Sequence, residues 1–340
     1  MKVLHVFCSA SIPTDPYHGP ERMMWTLGKG QSQLGAHVSF LVQKGSRCPF
    51  GQVIEFNPRK ALGEQIPPDI DVAHFHDAPP SAGAIEQPWL YSLHHNAFEG
   101  AVLPPNTVFA TRNHALRHGG EYFVYYGIDP DDYMHPDPES PRSYFHFLSL
   151  AGWQMRNLKG AIQLADSVGE RLHVIGGKRI SFKEGLRITL SPHVRFHGLL
   201  SLHGRNAVIE RSKGLIFPVL WHKPFALTVV ESLCFGCPIF ATPFGSIPEI
   251  LGFTDTWESG CVETPFGVLS DRFDDLQRGL KQAEDFNRRY CQEYVFETFG
   301  FKRFARQYLD LYEKIRKGQM LHANSIYPHE LETHQSLSLK

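Results

Sequence analysis

Short apolar segments alternate with longer amphipathic stretches along almost the whole chain. The short segments predict strands and the longer ones predict helices. A parallel strand pair needs a long crossover, usually a helix, so this alternation is typical of parallel sheets covered by helices. The sequence therefore predicts an α/β fold. The predicted strands are residues 3–8, 38–42, 72–75, 90–93, 108–110 and 122–125 in the first half, and 145–150, 172–175, 194–196, 215–217 and 239–242 in the second.

The length of 340 residues predicts two domains, since a domain has on the order of 150 residues. Three prolines between Pro136 and Pro141 interrupt the alternation, which places the boundary there. We expect Rossmann-like domains over residues 1–140 and 141–297. Helices are predicted near 274–293 and 302–317, followed by a polar, mobile tail over 319–340.

Charge and composition exclude several classes of function. The net charge of −1, without long runs of like charge, argues against a nucleic-acid partner. The six cysteines are scattered and predict reduced packing residues; the pair Cys234 and Cys237 ends a helical pattern and does not predict redox chemistry. No signal peptide or transmembrane segment is recognised. We therefore expect a cytoplasmic protein, although peripheral contact with a membrane remains open.

The segment from Pro218 to Glu249 is the most informative one. Its pattern predicts strand, loop, helix, strand, loop and helix, with the first helix running from Phe225 to Gly236. The N-terminus of such a helix has unpaired N–H groups and partial positive charge, which suits a diphosphate. Ligands of parallel sheets bind at the carboxyl ends of the strands.

Two positions in this segment predict close contacts. Glu231 lies on the apolar face of the first helix and needs a partner, either hydroxyl groups of a nucleotide ribose or another group of the protein. Gly245 marks a place where the backbone approaches something closely. Ser246 and Glu249 have the spacing of a capping box, so helix capping is the favoured role of Glu249 over catalysis.

These residues resemble glycosyltransferase family 4, whose two domains form the GT-B fold. The resemblance covers nearly the whole chain. Single motifs are weak, but their order and spacing together are specific. The resemblance rests on the segment from Pro218 to Glu249 and on five further segments, Tyr17–Arg22, Pro88–His95, Asn113–Gly119, Val124–Asp129 and Gly152–Gly160.

The resemblance implies a role for particular side chains. Glu231 would bind the donor ribose, and the amides of Phe225, Ala226 and Leu227 would face phosphate or sugar. Fixed cations would stabilise the departing diphosphate without a metal or other cofactor. The remaining residues implied in the site are Arg156 and Lys159 at the diphosphate, Gly19, Gly152 and Gly245 where backbone approaches the donor, and His94 beside the donor sugar and acceptor.

Two positions depart from the family pattern. Lys223 stands where the family has the first of two glutamates, and Trp153 occupies the usual arginine position, with Arg156 as its replacement after a one-residue shift. Our hypothesis is that Lys223 meets the diphosphate or an acidic donor sugar, the alternative being an exposed loop lysine. Without the resemblance, Arg156 and Lys159 would be interpreted as ordinary solvated charges.

Other classes are less well supported. His74, His76, His94 and His95 end two predicted strands and could build a metallohydrolase, but the spacing fixes no third and fourth ligand. No pair of carboxylates predicts a glycoside hydrolase. The residues from Ser9 to Glu21 lack the glycines of a dinucleotide site.

The resemblance implies a retaining hexosyltransferase of glycan biosynthesis. It would move sugar from a nucleotide diphosphate sugar, UDP- or GDP-linked, to a saccharide, lipid-linked or small-molecule acceptor. It also implies that residues 298–318 form a helix that crosses back to the first domain. A nucleotide-sugar-binding protein without catalysis is the alternative.

Overall fold

The computed structural model describes residues 1–13, 19–79, 85–98, 100–149, 154–181, 187–253, 257 and 259–328. The chain divides into two compact units, the first comprising Met1–Asp129 with the segment that begins at Phe299 and the second comprising Pro130–Thr298. The first unit therefore includes a segment from the end of the chain. None of the helices in the described ranges is both long and apolar enough to cross a membrane.

The first unit contains a parallel sheet of six strands in the order β3-β2-β1-β4-β5-β6. Apolar side chains from both sheet faces form its core. The elements are β1 (Lys2–Phe7), α1 (Gly19–Gln33), β2 (His37–Val42), β3 (Gln52–Glu55), β4 (Val72–Phe75), β5 (Trp89–Ser92), β6 (Thr107–Val108) and α2 (Arg112–Arg117).

The second unit contains a seven-stranded sheet in the order β11-β8-β7-β12-β13-β15-β14, parallel except for β14, and a separate antiparallel pair, β9 with β10. The strands are β7 (Tyr144–Leu148), β8 (Leu172–Ile175), β9 (Ile180–Ser181), β10 (Arg187–Ile188), β11 (Val194–Gly198), β12 (Ser212–Phe217), β13 (Ile239–Ala241), β14 (Val262–Thr264) and β15 (Gly267–Leu269). The helices are α3 (Leu158–Ser167), α4 (Leu202–Glu210), α5 (Leu227–Cys234), α6 (Ile247–Ile250), α7 (Phe273–Lys281) and α8 (Arg288–Thr298).

The chain then returns to the first unit through α9 (Phe301–Arg316), which packs against α1. Gly30 makes this approach possible, because a Cβ there would lie 2.8 Å from the Ala305 side chain. The observed α9 agrees closely with the helix predicted near 302–317.

The α/β class and the two mostly parallel sheets are confirmed. Other details differ from the sequence predictions. The single helix predicted over 274–293 is interrupted, since α7 ends at Lys281 and α8 begins at Arg288. Residues 122–125 contribute only an isolated bridge, Phe109 with Phe123. The short strands β3, β9, β10, β14 and β15 were not predicted.

The prediction of a mobile tail from Gln319 is wrong for its described part. Leu321 and Ile326 are buried, and Leu103 and Ile326 exchange two backbone hydrogen bonds of 2.9 and 2.8 Å. Polar composition suggested mobility, but two apolar residues and backbone pairing are enough to hold this segment on the first unit.

Candidate functional site

In the second unit, the loop that follows β12 contacts the loop that follows β13. The Ser246 amide donates to the Lys223 carbonyl oxygen at 3.0 Å, and the Gly245 amide donates to Nδ1 of His222 at 3.0 Å. Gly245 has φ +64°, and a Cβ there would lie 2.6 Å from the Lys223 carbonyl oxygen. The close approach predicted for Gly245 is thus made by the backbone of Lys223.

Helix α5 begins at Leu227, two residues later than predicted. Its N-cap, Ala226, provides no capping side chain, and the Ala226 amide donates to Oγ of Ser246 at 3.0 Å. The predicted capping box is therefore not formed, because Ser246 Oγ is used by the preceding helix and makes no capping hydrogen bond. Phe225 is buried and Leu227 is half-buried at this end of α5. Of the three amides predicted to face a ligand, the one of Ala226 is engaged within the protein.

The partner of Glu231 is an arginine. Both side chains are 3 % exposed, and Nη2 of Arg205 lies 2.7 Å from Oε1 of Glu231. The hydroxyl of Tyr133 donates to the same oxygen at 3.0 Å. The carboxylate on α5 is thus compensated by a cation on α4, which corresponds to the alternative of a protein-paired glutamate. Neither Arg205 nor Tyr133 was singled out from the sequence, since no local pattern links them to Glu231.

Arg156 and Lys159 follow β7. Arg156 lies in a 3-10 turn, Gln154–Arg156, is half-buried and donates from Nη1 to Ser149 Oγ at 2.7 Å. Burial lowers the pKa of its guanidinium. Lys159 is exposed in the first turn of α3. Gly152 and Trp153 lie outside the described residues, as do Tyr17 and His18.

Lys223 is held by aromatic rings. Its ammonium lies 4.8 Å from the ring centre of Trp221 and 5.6 Å from that of Phe217, the last residue of β12. Such cation–π contacts fix the position of the charge. The structure therefore places a positive charge at the end of β12, close in sequence to the start of α5, where the resemblance implies a glutamate.

In the first unit, Gly19 is the first residue of α1. No atom lies within 4 Å of the place where its Cβ would be, so a side chain there would meet open space among the described residues.

Polar side chains of the first unit form one continuous buried hydrogen-bond network, which we call the histidine network. Its members come from strands β1, β4 and β5 or the residues just after them, from the segment that contains Tyr126, and from helices α1 and α9. The successive contacts are Tyr126 with His94 (2.5 Å), His94 with His76 (2.9 Å), His76 with His5 (3.0 Å), His5 with Gln31 (2.8 Å), Gln31 with Tyr312 (3.0 Å), Tyr312 with His74 (2.7 Å), His74 with Ser92 (2.7 Å) and Ser92 with Tyr308 (2.6 Å).

The amide of Gln31 determines the proton positions along this network. Its oxygen accepts from Nε2 of His5, so neutral His5 accepts at Nδ1 from Nε2–H of His76. A neutral imidazole has one N–H, and in His76 it is at Nε2. Nδ1 of His76 therefore accepts from Nε2–H of His94. Nδ1 of His94 then accepts from the Tyr126 hydroxyl. On the other side, the Gln31 NH₂ donates to Tyr312, whose hydroxyl donates to His74.

Burial keeps these imidazoles neutral. Desolvation lowers the pKa of His5 to about 4 and of His94 to about 3, and the pKa values of His74 and His76 lie well below the usual range for the same reason. Neighbouring histidines add a smaller effect in the same direction for His74, His76 and His94. A neutral His94 whose two ring nitrogens are both engaged is oriented firmly, but it is a weak base.

The metal hypothesis gains a third histidine, because strand pairing sets His5 opposite His74. One nitrogen from each of His5, His74 and His76 lies within 4.8 Å of the others. All ring nitrogens of these three residues have hydrogen-bond partners in the histidine network, so a metal would have to replace several of these bonds. The arrangement supports a structural network more directly than a metal centre.

Comparisons with known proteins agree with this architecture. Residues 153–265 match the family described as glycosyl transferases group 1. No curated protein matches the chain. Among solved structures, AviGT4, a glycosyltransferase involved in avilamycin A biosynthesis, has a TM-score of 0.70 at 17 % identity, covering 94 % of this chain and 98 % of its own.

Two further structures show the same fold at low identity. Sucrose-phosphate synthase from Thermosynechococcus elongatus has a TM-score of 0.68 at 13 % identity, covering 94 % of this chain and all of its own. HepE from Anabaena in complex with UDP has a TM-score of 0.62 at 13 % identity, and the match covers 92 % of this chain and all of HepE. The fold is that of the GT-B glycosyltransferases, and the family match over residues 153–265 supports a transferase enzyme.

Proposed function

We propose that this chain transfers a sugar from a nucleotide diphosphate sugar to a hydroxyl group of an acceptor, and that the second unit binds the donor. The match of residues 153–265 to a glycosyltransferase family carries the proposal. This range contains the loops after β12 and β13, the N-terminus of α5 and Glu231. The structure of a protein with this fold contains UDP, and that of another, starch synthase IV from Arabidopsis thaliana, contains ADP and acarbose.

The diphosphate would meet positive charge from three sources in this unit. Two sources are side chains: Arg156, which follows β7, and Lys223, which follows β12. The third is the N-terminus of α5, whose first N–H groups have no carbonyl partner within the helix and carry partial positive charge. Positive groups fixed in this way stabilise the charge that develops on the leaving diphosphate. Because these groups supply the charge, we propose transfer without a metal ion, and we expect a chelator to leave the rate unchanged.

We further propose that Glu231 binds the donor ribose and that Arg205 holds its carboxylate in the ionised form. An unpaired charge at this buried position would cost several kcal/mol. The hydroxyl groups of a ribose are donors, and an ionised carboxylate is an acceptor for them. We expect UDP or GDP as the nucleotide, retention of anomeric configuration, a cytoplasmic site of action and a saccharide, lipid-linked or small-molecule acceptor.

Nucleotide binding is the direct test. UDP, GDP and ADP are added to the protein in thermal unfolding experiments, and we expect one of them to raise the unfolding temperature. A ligand at 100 times its Kd adds about 2.7 kcal/mol of stability. The variant Arg156→Gln should reduce the effect, whereas Lys281→Gln, which removes an exposed charge on α7, should not. A failure of all three nucleotides to stabilise the protein would contradict the proposal.

The presence of a lysine at position 223 favours a second candidate function, which is to bind a nucleotide sugar without transferring the sugar. The charge of Lys223 replaces the glutamate that the family pattern has at this position. Incubation of the protein with the nucleotide sugar that binds best, with and without sugar acceptors, separates the two functions. Release of the nucleotide supports the enzyme, and binding without release over many hours supports the second candidate. In the same assay, unchanged donor affinity and donor choice in Lys223→Glu would exclude a role of Lys223 at the donor.

A further inference from the structure

The first unit contains a cavity of about 780 Å³ on one face of β5. Its walls are this face of β5, the residues after the strand and the docked C-terminal segment, and its lining is mainly apolar. Pockets that bind small molecules have volumes of about 300–1,000 Å³ and a similar lining. The residues that matter here are Trp89, Tyr91, Leu93, His95, Ala101 and Met320.

The wall formed by the C-terminal segment is fixed by hydrogen bonds. Besides the pairing of Leu103 with Ile326, the His322 amide donates to the Pro105 carbonyl oxygen at 3.0 Å, and the Leu321 amide donates to Oδ1 of Asn106 at 3.1 Å. The cavity is therefore closed on this side by a part of the chain that is itself anchored.

One hydroxyl group in the lining belongs to a largely buried tyrosine, Tyr91. Tyr91 is 4 % exposed, and no hydrogen bond joins its hydroxyl to another residue in the described ranges. Burial raises its pKa to about 12, so the hydroxyl is neutral. The Tyr91 hydroxyl is thus available to a ligand in an otherwise apolar cavity.

Two neighbours of His94 in the chain, Leu93 and His95, line the cavity. Alternate residues of β5 face opposite sides of the sheet, so Tyr91 and Leu93 line the cavity while Ser92 joins the histidine network. His95 lines the cavity, and His94 precedes it in the chain at the carboxyl end of the strand. A molecule that fills the cavity and extends past this strand end would reach the residues that follow β5, among which His94 lies on the side of the histidine network.

Three large apolar side chains are exposed at the cavity. Phe98, Val102 and Met320 are 76 %, 57 % and 64 % exposed, and all three line it. Exposed apolar side chains that cluster at a cavity are typical of a ligand or partner site. Here they continue the apolar lining to the surface, where an apolar ligand would enter.

We propose that this cavity binds the apolar ring or chain of a small-molecule acceptor, and that the Tyr91 hydroxyl hydrogen-bonds a polar group on that molecule. The part concerning the acceptor rests on the proposed transferase function. The cavity, its lining and the Tyr91 hydroxyl are independent of that function. The acceptor hydroxyl that receives the sugar would lie outside the cavity, at the end of β5.

Binding is tested first with two probes, 2-naphthol and naphthalene, which have the same rings and differ by one hydroxyl group. We expect saturable binding of both, measured by fluorescence titration. Tyr91→Phe should weaken 2-naphthol about fivefold and leave naphthalene unchanged, since it removes one hydrogen bond. Ala101→Trp, which fills part of the cavity, should weaken both at least tenfold. Leu116→Trp, at an exposed position on α2, is the matched control and should change neither.

Absence of saturable binding to the wild type, or equal affinities in Ala101→Trp and Leu116→Trp, would overturn the cavity as a binding site. Folding of each variant is checked by circular dichroism, and Tyr91→Phe, which keeps the ring, gives an answer even if Ala101→Trp fails to fold. Nucleotide binding by the second unit is measured on the same variants, so failure of the cavity and failure of the proposed function give different results.

The acceptor role is tested by transfer to methyl β-glucoside and 2-naphthyl β-glucoside. We expect a lower KM for the naphthyl compound in the wild type, and loss of this difference in Ala101→Trp but not in Leu116→Trp. Equal KM values for the two glucosides in the wild type would overturn the assignment to the acceptor, even if the cavity binds the free probes.

Discussion

The two units bury polar groups in opposite ways. The histidine network of the first unit is neutral, and hydrogen bonds alone compensate its burial. The centre at Glu231 in the second unit is ionic, with a glutamate and an arginine side chain that are each 3 % exposed. Both lie in the interior of an α/β unit beside the parallel sheet.

This difference has consequences for stability. Removing one partner of a buried ion pair leaves an unpaired charge, whereas removing one member of a neutral network leaves an unsatisfied dipole. The neutral network has a different weakness, since acid can place charges on it. Each of the following experiments breaks one of these two centres.

Acid is expected to have the largest effect. The pKa of His5 is about 4 in the folded protein and near 6.5 in the unfolded chain, so the unfolded state binds the proton first as the pH falls. Stability is therefore lost between about pH 6.5 and 4, by about 3 kcal/mol for His5 alone, at about 1.4 kcal/mol per pKa unit. His94 and His146, whose pKa values are about 3, add to this loss.

Urea unfolding midpoints at pH 7.5, 6 and 5 measure the effect. The variant His5→Gln keeps a polar side chain but does not titrate, so its midpoint should depend less on pH than that of the wild type. Identical pH dependence of the two proteins would contradict a neutral His5 in the folded state.

Arg205→Met is expected to destabilise the protein by about 3–5 kcal/mol, because it leaves Glu231 buried without its cation. The double variant Arg205→Met, Glu231→Met removes both charges and should recover much of the loss. Urea unfolding of the two variants tests this. If the double variant is no more stable than the single one, Glu231 is not an uncompensated charge in the single variant.

His5→Phe breaks the histidine network at its centre and is expected to cost about 2 kcal/mol. Nε2–H of His76 loses its acceptor and Oε1 of Gln31 loses its donor. The control His37→Phe changes a histidine that is exposed on β2, and it should leave the unfolding midpoint nearly unchanged. Similar losses in both variants would show that the network does not contribute to stability.

Tyr126→Phe has the smallest expected effect, about 1 kcal/mol, since it removes one hydrogen bond at the end of the network. It also removes the donor that holds Nδ1 of His94 as an acceptor. Nitrogen NMR should therefore show a change in the tautomer populations of His94, and no change in Tyr327→Phe, which alters an exposed tyrosine. An unchanged His94 spectrum in Tyr126→Phe would contradict the donor assignment.

The sequence pattern predicted local secondary structure, but it did not predict which side chains contact each other. The strand over 72–75 and the helix near 302–317 follow from the local distribution of apolar residues, and both are observed. The need of Glu231 for a partner also followed from its place on an apolar face. The identity of that partner did not, because Arg205 lies 26 positions away and nothing in its neighbourhood marks it as buried.

Gly245 is a second position at which the sequence predicted a contact but not the group that makes it. Its position predicted a close approach of the backbone, and the structure shows such an approach, to the backbone of Lys223. Likewise, the capping-box spacing of Ser246 and Glu249 was present, but Ser246 bonds to Ala226, twenty positions earlier. A local motif names groups that can bond; it does not exclude a better partner from elsewhere in the chain.

The sequence by itself determined the α/β class, the strand–helix alternation and the presence of histidines at the ends of two strands in the first half. These properties depend on periods and residue types that are read within about ten positions. Only the tertiary structure decided which polar groups meet. Gln31 bonds to Tyr312 across 281 positions, and through Gln31 the proton positions of the histidine network are set. The physical reason is that burial makes each polar group require a partner, while the packing of whole helices and strands selects which one is within reach.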